Sequence, residues 1–323
     1  MNHTQIADLA TTYTDKSAQF LRDIIAIPST SCNEGAVVDR IAEEMKNVGF
    51  DDVNIDPMGN VLGRIGSGKR IIAMDGHVDT VGIGNPENWK HDPFKGKVEN
   101  GIIYGRGASD MKGAMAAMVY AGKIIKDLQL EDDYTLYITG TIQEEDCDGL
   151  CWQYIINEDE IIPEVVIISE PTNLQIYRGQ RGRMEFEVVT EGLSAHGAAP
   201  ERGENAIYKI APLIKEIEQL NNELKSDGFL GKGSITISRI RSGSPSLNAV
   251  ADMAAFYIDR RLTAGETMES AKEEITSLPS FKKAGAKIVI PEYNEPSYTG
   301  LRYGMQKYYA TWTLDEDHPI LIS

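Results

Sequence analysis

Basic residues, cysteines and long apolar runs are all scarce in this 323-residue chain. Lys and Arg number 32 against 49 Asp and Glu, giving a formal net charge of −17 and a pI near 4.8. Nucleic acids and anionic membranes are bound through basic surfaces, so neither is expected as a partner. The three cysteines, Cys32, Cys147 and Cys151, are too few for a disulfide framework and fit a reducing cytosol. The opening residues, Met-Asn-His-Thr-Gln-Ile-Ala-Asp, have neither the basic nor the apolar part of a secretory leader. No apolar stretch approaches the roughly 20 residues of a membrane span. The expected compartment is the cytoplasm.

What is present is a globular balance, 41% apolar and 25% charged, in a length that suits one large or two moderate domains. Ile6, Leu9, Tyr13, Leu21, Ile24 and Ile25 keep a helical spacing that Pro28 ends. A second helix follows Ser31–Glu34, with Val37, Val38, Ile41, Met45 and Val48 on one face. Apolar runs at 60–65, 70–74, 101–104, 135–142 and 163–168 read as strands, the last two as buried ones. A further helix follows Asp110. This alternation predicts an α/β layer with a largely parallel sheet over residues 1–178. From 179 onward the order becomes β-α-β-β-α-β, the ferredoxin-like pattern. Residues 179–296 are assigned to an inserted domain whose uncovered sheet face or edge suits dimerisation. Residues 297–323 are expected to return to the first domain. Asp315–Pro319 signals a helix start with Asp317 as N-cap. Only a few residues follow it, so it reads as the opening of a longer segment.

The most informative feature is Glu144-Glu145, at the end of the run 135–142. Two adjacent carboxylates there repel each other and resist burial unless a cation lies beside them. His77 and Asp79, Asp110, and Glu170 occupy other element ends. An imidazole and several carboxylates meeting at one sheet edge describe a hydrolytic metal site, and mixed nitrogen and oxygen ligands suit zinc, cobalt or manganese. His77 and Asp79 point the same way along a strand, and a carboxylate near an imidazole orients it. One glutamate of the pair can bind metal while the other acts as base. Two ions about 3.5–4 Å apart then serve amide hydrolysis. Cys147 and Cys151 have no second cysteine pair and read as ordinary thiols.

The segments MDGHVDTV, GRGASDMKG, GTIQEED, ISEPT and SAHGAAPERGENAI occur in the order of the dinuclear-zinc aminoacylase and peptidase family. That family includes acetylornithine deacetylase and succinyl-diaminopimelate desuccinylase, and nearly the whole chain resembles it. Within it the chain is most similar to a branch described as selenium-metabolism hydrolases. The resemblance implies a zinc-peptidase-like catalytic domain, two divalent ions (zinc, with cobalt or manganese as substitutes), and hydrolysis of an N-acyl, N-carbamoyl or peptidyl amino acid. It implies that His77 and Glu170 bind one metal, Asp110 bridges both, and Glu145 binds the second. Asp79 orients His77, Glu144 is the general base, and the Asp110–Met111 peptide is cis. His196 resembles a histidine that crosses a dimer interface to a developing oxyanion, so a homodimer is expected. Asn248 in SLNAVAD and Arg260 in IDRRL are assigned to substrate, Arg260 through a carboxylate. The family's last histidine ligand, near the end of its chain, has no counterpart among His3, His91 and His318. A non-catalytic or truncated, inactive family member that keeps the fold and the dimerisation surface is therefore the alternative expectation.

Overall fold

The computed structural model describes residues 3–322. Residues up to 174 together with 294–304 form one unit, and 175–293 with the residues from 305 onward form the other.

The first unit begins with helices α1 (His3–Ile25) and α2 (Gly35–Val48). Strands β1 (Asp52–Ile55), β2 (Val61–Ile65) and β3 (Arg70–His77) follow, then a hairpin of β4 (Lys97–Glu99) and β5 (Ile102–Tyr104). Helix α3 (Lys112–Asp127), strand β6 (Tyr134–Thr141), helix α4 (Leu150–Asn157) and strand β7 (Val165–Ile168) complete it. The helical periods behave as the sequence predicts: α2 buries Val37, Val38, Ile41, Met45 and Val48, one face at i, i+4 spacing. Gly49, left-handed at φ 97°, ends α2, and its N–H donates to Lys46 O while Phe50 N–H donates to Met45 O. That is the Schellman arrangement glycine permits.

The sheet order is β1-β2-β6-β3-β7, and it corrects the expected largely parallel sheet. β3 is parallel to β6 and β7, but β2 is antiparallel to both β1 and β6. The cause is local. Only five residues separate β1 from β2, too few for a parallel crossover. Asp56 folds them into a tight turn by accepting from Gly59 N–H (2.6 Å) and Asn60 N–H (2.9 Å). β7 also differs from the buried strand expected. Among the described residues it pairs with β3 alone, and Ile167 and Ile168 are half exposed.

The second unit contains β8 (Gly179–Gln180), β9 (Gly182–Glu191), α5 (Ala206–Glu223), β10 (Ser226–Asp227), β11 (Gly231–Lys232), β12 (Ser234–Gly243) and β13 (Met253–Leu262). Helices α6 (Met268–Thr276) and α7 (Pro279–Ala284), then β14 (Lys287–Val289) and β15 (Glu292–Tyr293), follow. Its main sheet is antiparallel, in the order β12-β13-β9-β14. β9 alternates strictly, burying Met184, Phe186 and Val188. Those side chains pack with Ile210, Leu213 and Ile217 of α5 and Ile275 of α6, as a sheet with one covered face requires.

The final segment corrects another expectation. β16 (Met305–Gln306), β17 (Tyr308–Tyr309) and β18 (Trp312–Thr313) pair with β15, β9 and β8. They belong to the second unit, and only 294–304 returns to the first. The open edge of β9 beyond β14 explains this, since Tyr308 and Tyr309 take the ladder positions opposite Met184 and Arg183. Helix α8 (Pro319–Ile322) starts where predicted, but its side-chain cap is His318, whose Nδ1 accepts from Ile320 N–H at 3.3 Å.

Candidate metal centre

β3, β6 and β7 run side by side in one direction, with His77 opposite Thr141 and Asp75 opposite Ile168. Their carboxyl ends therefore open at the same edge, where α/β sheets place ligands. His77 closes β3, Glu144 and Glu145 lie three and four residues past β6, and Glu170 lies two past β7. Asp110 comes from the loop before α3, and the Asp110–Met111 peptide is cis. Lys112 ties that loop down: its buried ammonium donates to Ile24 O and Ile27 O, both at 2.9 Å. Burial draws the Lys112 pKa down to about 8, with the charge of Asp79 opposing it.

The imidazole is held in one orientation. His77 Nδ1 lies 2.9 Å from the main-chain oxygen of Asp79, so that nitrogen carries the proton and Nε2 is left to face a ligand. Nε2 lies 2.9 Å from Asp110 Oδ1, 3.6 Å from Glu170 Oε1 and 4.0 Å from Glu144 Oε2. The Asp79 carboxylate is 3.5 Å from Nδ1 and does something the sequence did not reveal. Its Oδ1 accepts from Glu144 N–H (3.1 Å), and its Oδ2 accepts from Glu145 N–H (3.2 Å) and the Ser31 hydroxyl (2.7 Å). A fully buried carboxylate thus clamps the backbone of the acidic pair.

One imidazole facing four carboxylates is electrostatically incomplete. Burial alone would lower the His77 pKa, but the hydrogen bond and charge of Asp79, with Glu144 and Glu170, raise it to about 10. Burial pushes Glu144 up to about 8, with His77 opposing and Asp148, Glu170 and Asp79 adding to the rise. Glu145 and Glu170 are also raised, first by burial and, after the opposing effect of His77, by Asp110. Cations among these groups would oppose all four shifts. The donor atoms fit such ions. His77, Asp110 and Glu145 offer one atom each within 4.8 Å of one another, and so do His77, Glu144 and Glu170. One nitrogen and hard carboxylate oxygens suit zinc-class divalent ions.

Three predicted residues belong to the second unit. His196 and Asn248 share an exposed groove of about 730 Å³ in the second unit, flanked by Tyr208 and Leu247. His196 Nδ1 accepts from Ala198 N–H at 3.1 Å. Arg260 contradicts its assignment to substrate. It is 1% exposed and committed to Glu266 (2.7 Å) and Glu274 (3.0 Å). The strand alternates, so Arg260 points inward with Phe256 and Ile258, while Arg261 faces out and forks onto Asp259.

Glu34 and Asn60, both fully buried, were not singled out from sequence. Glu34 Oε1 accepts from Cys32 N–H (2.9 Å) and Gln143 N–H (3.1 Å), and Oε2 has no hydrogen-bond partner among the described residues. Burial, then the charge of Asp79, lifts the Glu34 carboxyl from 4.5 to about 7. A carboxyl with a raised folded-state pKa holds its proton better when folded. Its contribution is full below pH 4.5 and is lost as pH rises through about 7. Glu34→Gln carries no charge at any pH, so its stability relative to wild type should increase between those limits by up to about 3 kcal/mol. Urea denaturation of both metal-free proteins at pH 5 and pH 8 checks this. A pH-independent difference contradicts it.

Metallohydrolases are the class defined by an α/β sheet with such a donor set at its strand ends. Residues 73–298 match the model of peptidase family M20/M25/M40, and the chain belongs to that family. It is 58% identical over 313 residues to the uncharacterized protein YgeY of Escherichia coli (strain K12), covering 97% of this chain and 78% of that protein. It is 28% identical over 285 residues to succinyl-diaminopimelate desuccinylase of Paracoccus denitrificans (strain Pd 1222), covering 84% and 74% respectively. A solved structure, the dinuclear metal binding peptidase YXEP of the M20 family from Bacillus subtilis, superposes with a TM-score of 0.63 at 14% identity, covering 94% of this chain and 77% of that one. At that identity the likeness speaks for the fold alone. No helix among the described residues is long and apolar enough to cross a membrane.

Proposed function

We propose that this chain hydrolyses the amide bond of a small N-acyl, N-carbamoyl or peptidyl amino acid. The observation that carries the reading is the meeting of His77 Nε2 with Asp110, Glu144, Glu145 and Glu170 at one strand edge. His77 and Glu170 are assigned to one divalent ion, Glu145 to a second, and Asp110 to both, with zinc as the expected metal. Bound ions of this class supply Lewis acidity to the scissile carbonyl and to the attacking water.

Glu144 is the general base. It takes a proton from the attacking water as the carbon–oxygen bond forms, and returns it to the leaving nitrogen as the carbon–nitrogen bond breaks. Asp79 holds the Glu144 and Glu145 N–H groups, so the two carboxylates keep separate tasks. The second unit is assigned as a ferredoxin-like inserted lid and dimerisation module, supported by its antiparallel order β12-β13-β9-β14. His196 is assigned to the developing oxyanion across a homodimer, and Asn248 to substrate. Cys32, Cys147 and Cys151 form no disulfide among the described residues, which supports a cytoplasmic location.

A non-catalytic family member is the second reading, because both donor groups among the described residues draw on the same imidazole, His77. A panel of N-acetyl, N-succinyl and N-carbamoyl amino acids and dipeptides, assayed with Zn²⁺, Co²⁺ or Mn²⁺, separates the two. Turnover of one class supports hydrolysis, and a metal-loaded protein inert toward every class supports the second reading. His77→Ala should lose about tenfold or more in affinity for the ion assigned to His77 and Glu170, since it removes the one nitrogen among the candidate donor atoms. Unchanged retention after dialysis would remove His77 from the site.

A further inference from the structure

β6 ends at Thr141, yet the next four main-chain N–H groups are all held by side chains. Ile142 N–H donates to Asn60 Oδ1 (3.2 Å), Gln143 N–H to Glu34 Oε1 (3.1 Å), and Glu144 and Glu145 N–H to Asp79. Three buried side chains from three distant segments thus extend the strand's bonding up to the acidic pair. Unpaired N–H groups at such depth are costly, so these acceptors determine where the backbone lies.

Glu34 serves this task alongside a local bond from Cys32 N–H. It stands at the N-cap of α2, but its side chain makes no bond to that helix. Gln143 sits at φ 55°, left-handed for a residue with a Cβ, a conformation that persists where its surroundings hold it. Asn60 is itself fixed, with its Nδ2 donating to Asp56 Oδ2 at 2.7 Å.

We propose that Glu34 and Asn60 are positioning residues of the metal centre, setting the backbone from which Glu144 and Glu145 project by holding the N–H groups of Gln143 and Ile142. The step from backbone placement to metal binding rests on the hydrolase reading above, while the backbone placement itself does not.

The test has a metal-free arm and a cobalt arm. Amide hydrogen exchange on the metal-free protein compares wild type with Glu34→Ala, Glu34→Gln and Asn60→Ala. Glu34→Ala should speed exchange at Gln143 and also at Glu144 and Glu145 by about tenfold, the loss of one buried hydrogen bond. Glu34→Gln keeps the accepting oxygen and should restore protection. Asn60→Ala should speed exchange at Ile142 and the pair, and it carries the test if Glu34→Ala does not fold. Wild-type exchange at Glu144 and Glu145 in the alanine variants overturns the proposal. In the second arm, Co²⁺ titration followed by visible absorption should show affinity lowered about 10–100-fold in the alanine variants and near wild type in Glu34→Gln. Altered exchange with unaltered cobalt affinity overturns the link to the metal centre. Failure of wild type to bind cobalt counts against the hydrolase reading, and the exchange arm still decides the positioning roles.

Discussion

Glu144→Ala lowers kcat by about 10²–10⁴-fold, the usual range for a lost general base, with metal content and KM near wild type. Glu144 is suited to this role by its surroundings. Its side chain is one-third exposed and 4.0 Å from His77 Nε2. Burial holds its pKa up, to about 8 in the metal-free protein. Cations nearby oppose that rise, leaving a base that is ionised near neutrality yet still takes a proton. Glu144→Gln keeps the shape and hydrogen-bonding capacity but not the basicity, so it should match Glu144→Ala in kcat. Turnover within about threefold of wild type in either variant would remove Glu144 from the reaction. The measurement is steady-state kinetics on the preferred substrate, with metal content determined on the same samples.

Arg260→Ala destabilises the protein by about 3–5 kcal/mol, because it leaves the buried Glu266 and the partly buried Glu274 without their counter-charge. Glu266 is 7% exposed, and its Oε1 accepts from Arg260 at 2.7 Å while its Oε2 accepts from Thr263 N–H at 2.6 Å. Glu274 approaches the same guanidinium at 3.0 Å. Removing the arginine alone strands both acids. Adding Glu266→Gln and Glu274→Gln to an Arg260→Met protein should recover much of the loss, since a neutral set has less charge to desolvate. Urea denaturation reads both effects. A loss below about 1 kcal/mol for Arg260→Ala would mean that the network is not energetically coupled.

The helices and the acidic site were legible because their signals are local. α2 announces itself through Val37, Val38, Ile41 and Met45, and the site through short motifs that end strands. The alternation of strands and helices overstates the parallel character of the sheet, because the short link between β1 and β2 makes β2 antiparallel. The turn Asp56-Pro-Met-Gly-Asn60 carried the hairpin signal. The inward position of Arg260 is likewise local. Counting by twos from Phe256 and Ile258 places it inward and Arg261 outward. Glu34 had no comparable signal: its acceptor role depends on Gln143, 109 residues away, and that proximity exists only once the strands are assembled. The clamp of Asp79 on the acidic pair, 65 and 66 residues on, was hidden for the same cause.

Glu144-Glu145, His77, Asp110 and Glu170 are proposed to form a dinuclear hydrolytic centre. Elemental analysis of the zinc-loaded, dialysed protein tests it most directly. Two ions per chain are expected in wild type and in Glu144→Ala, and fewer in His77→Ala. One ion or none in wild type would contradict it.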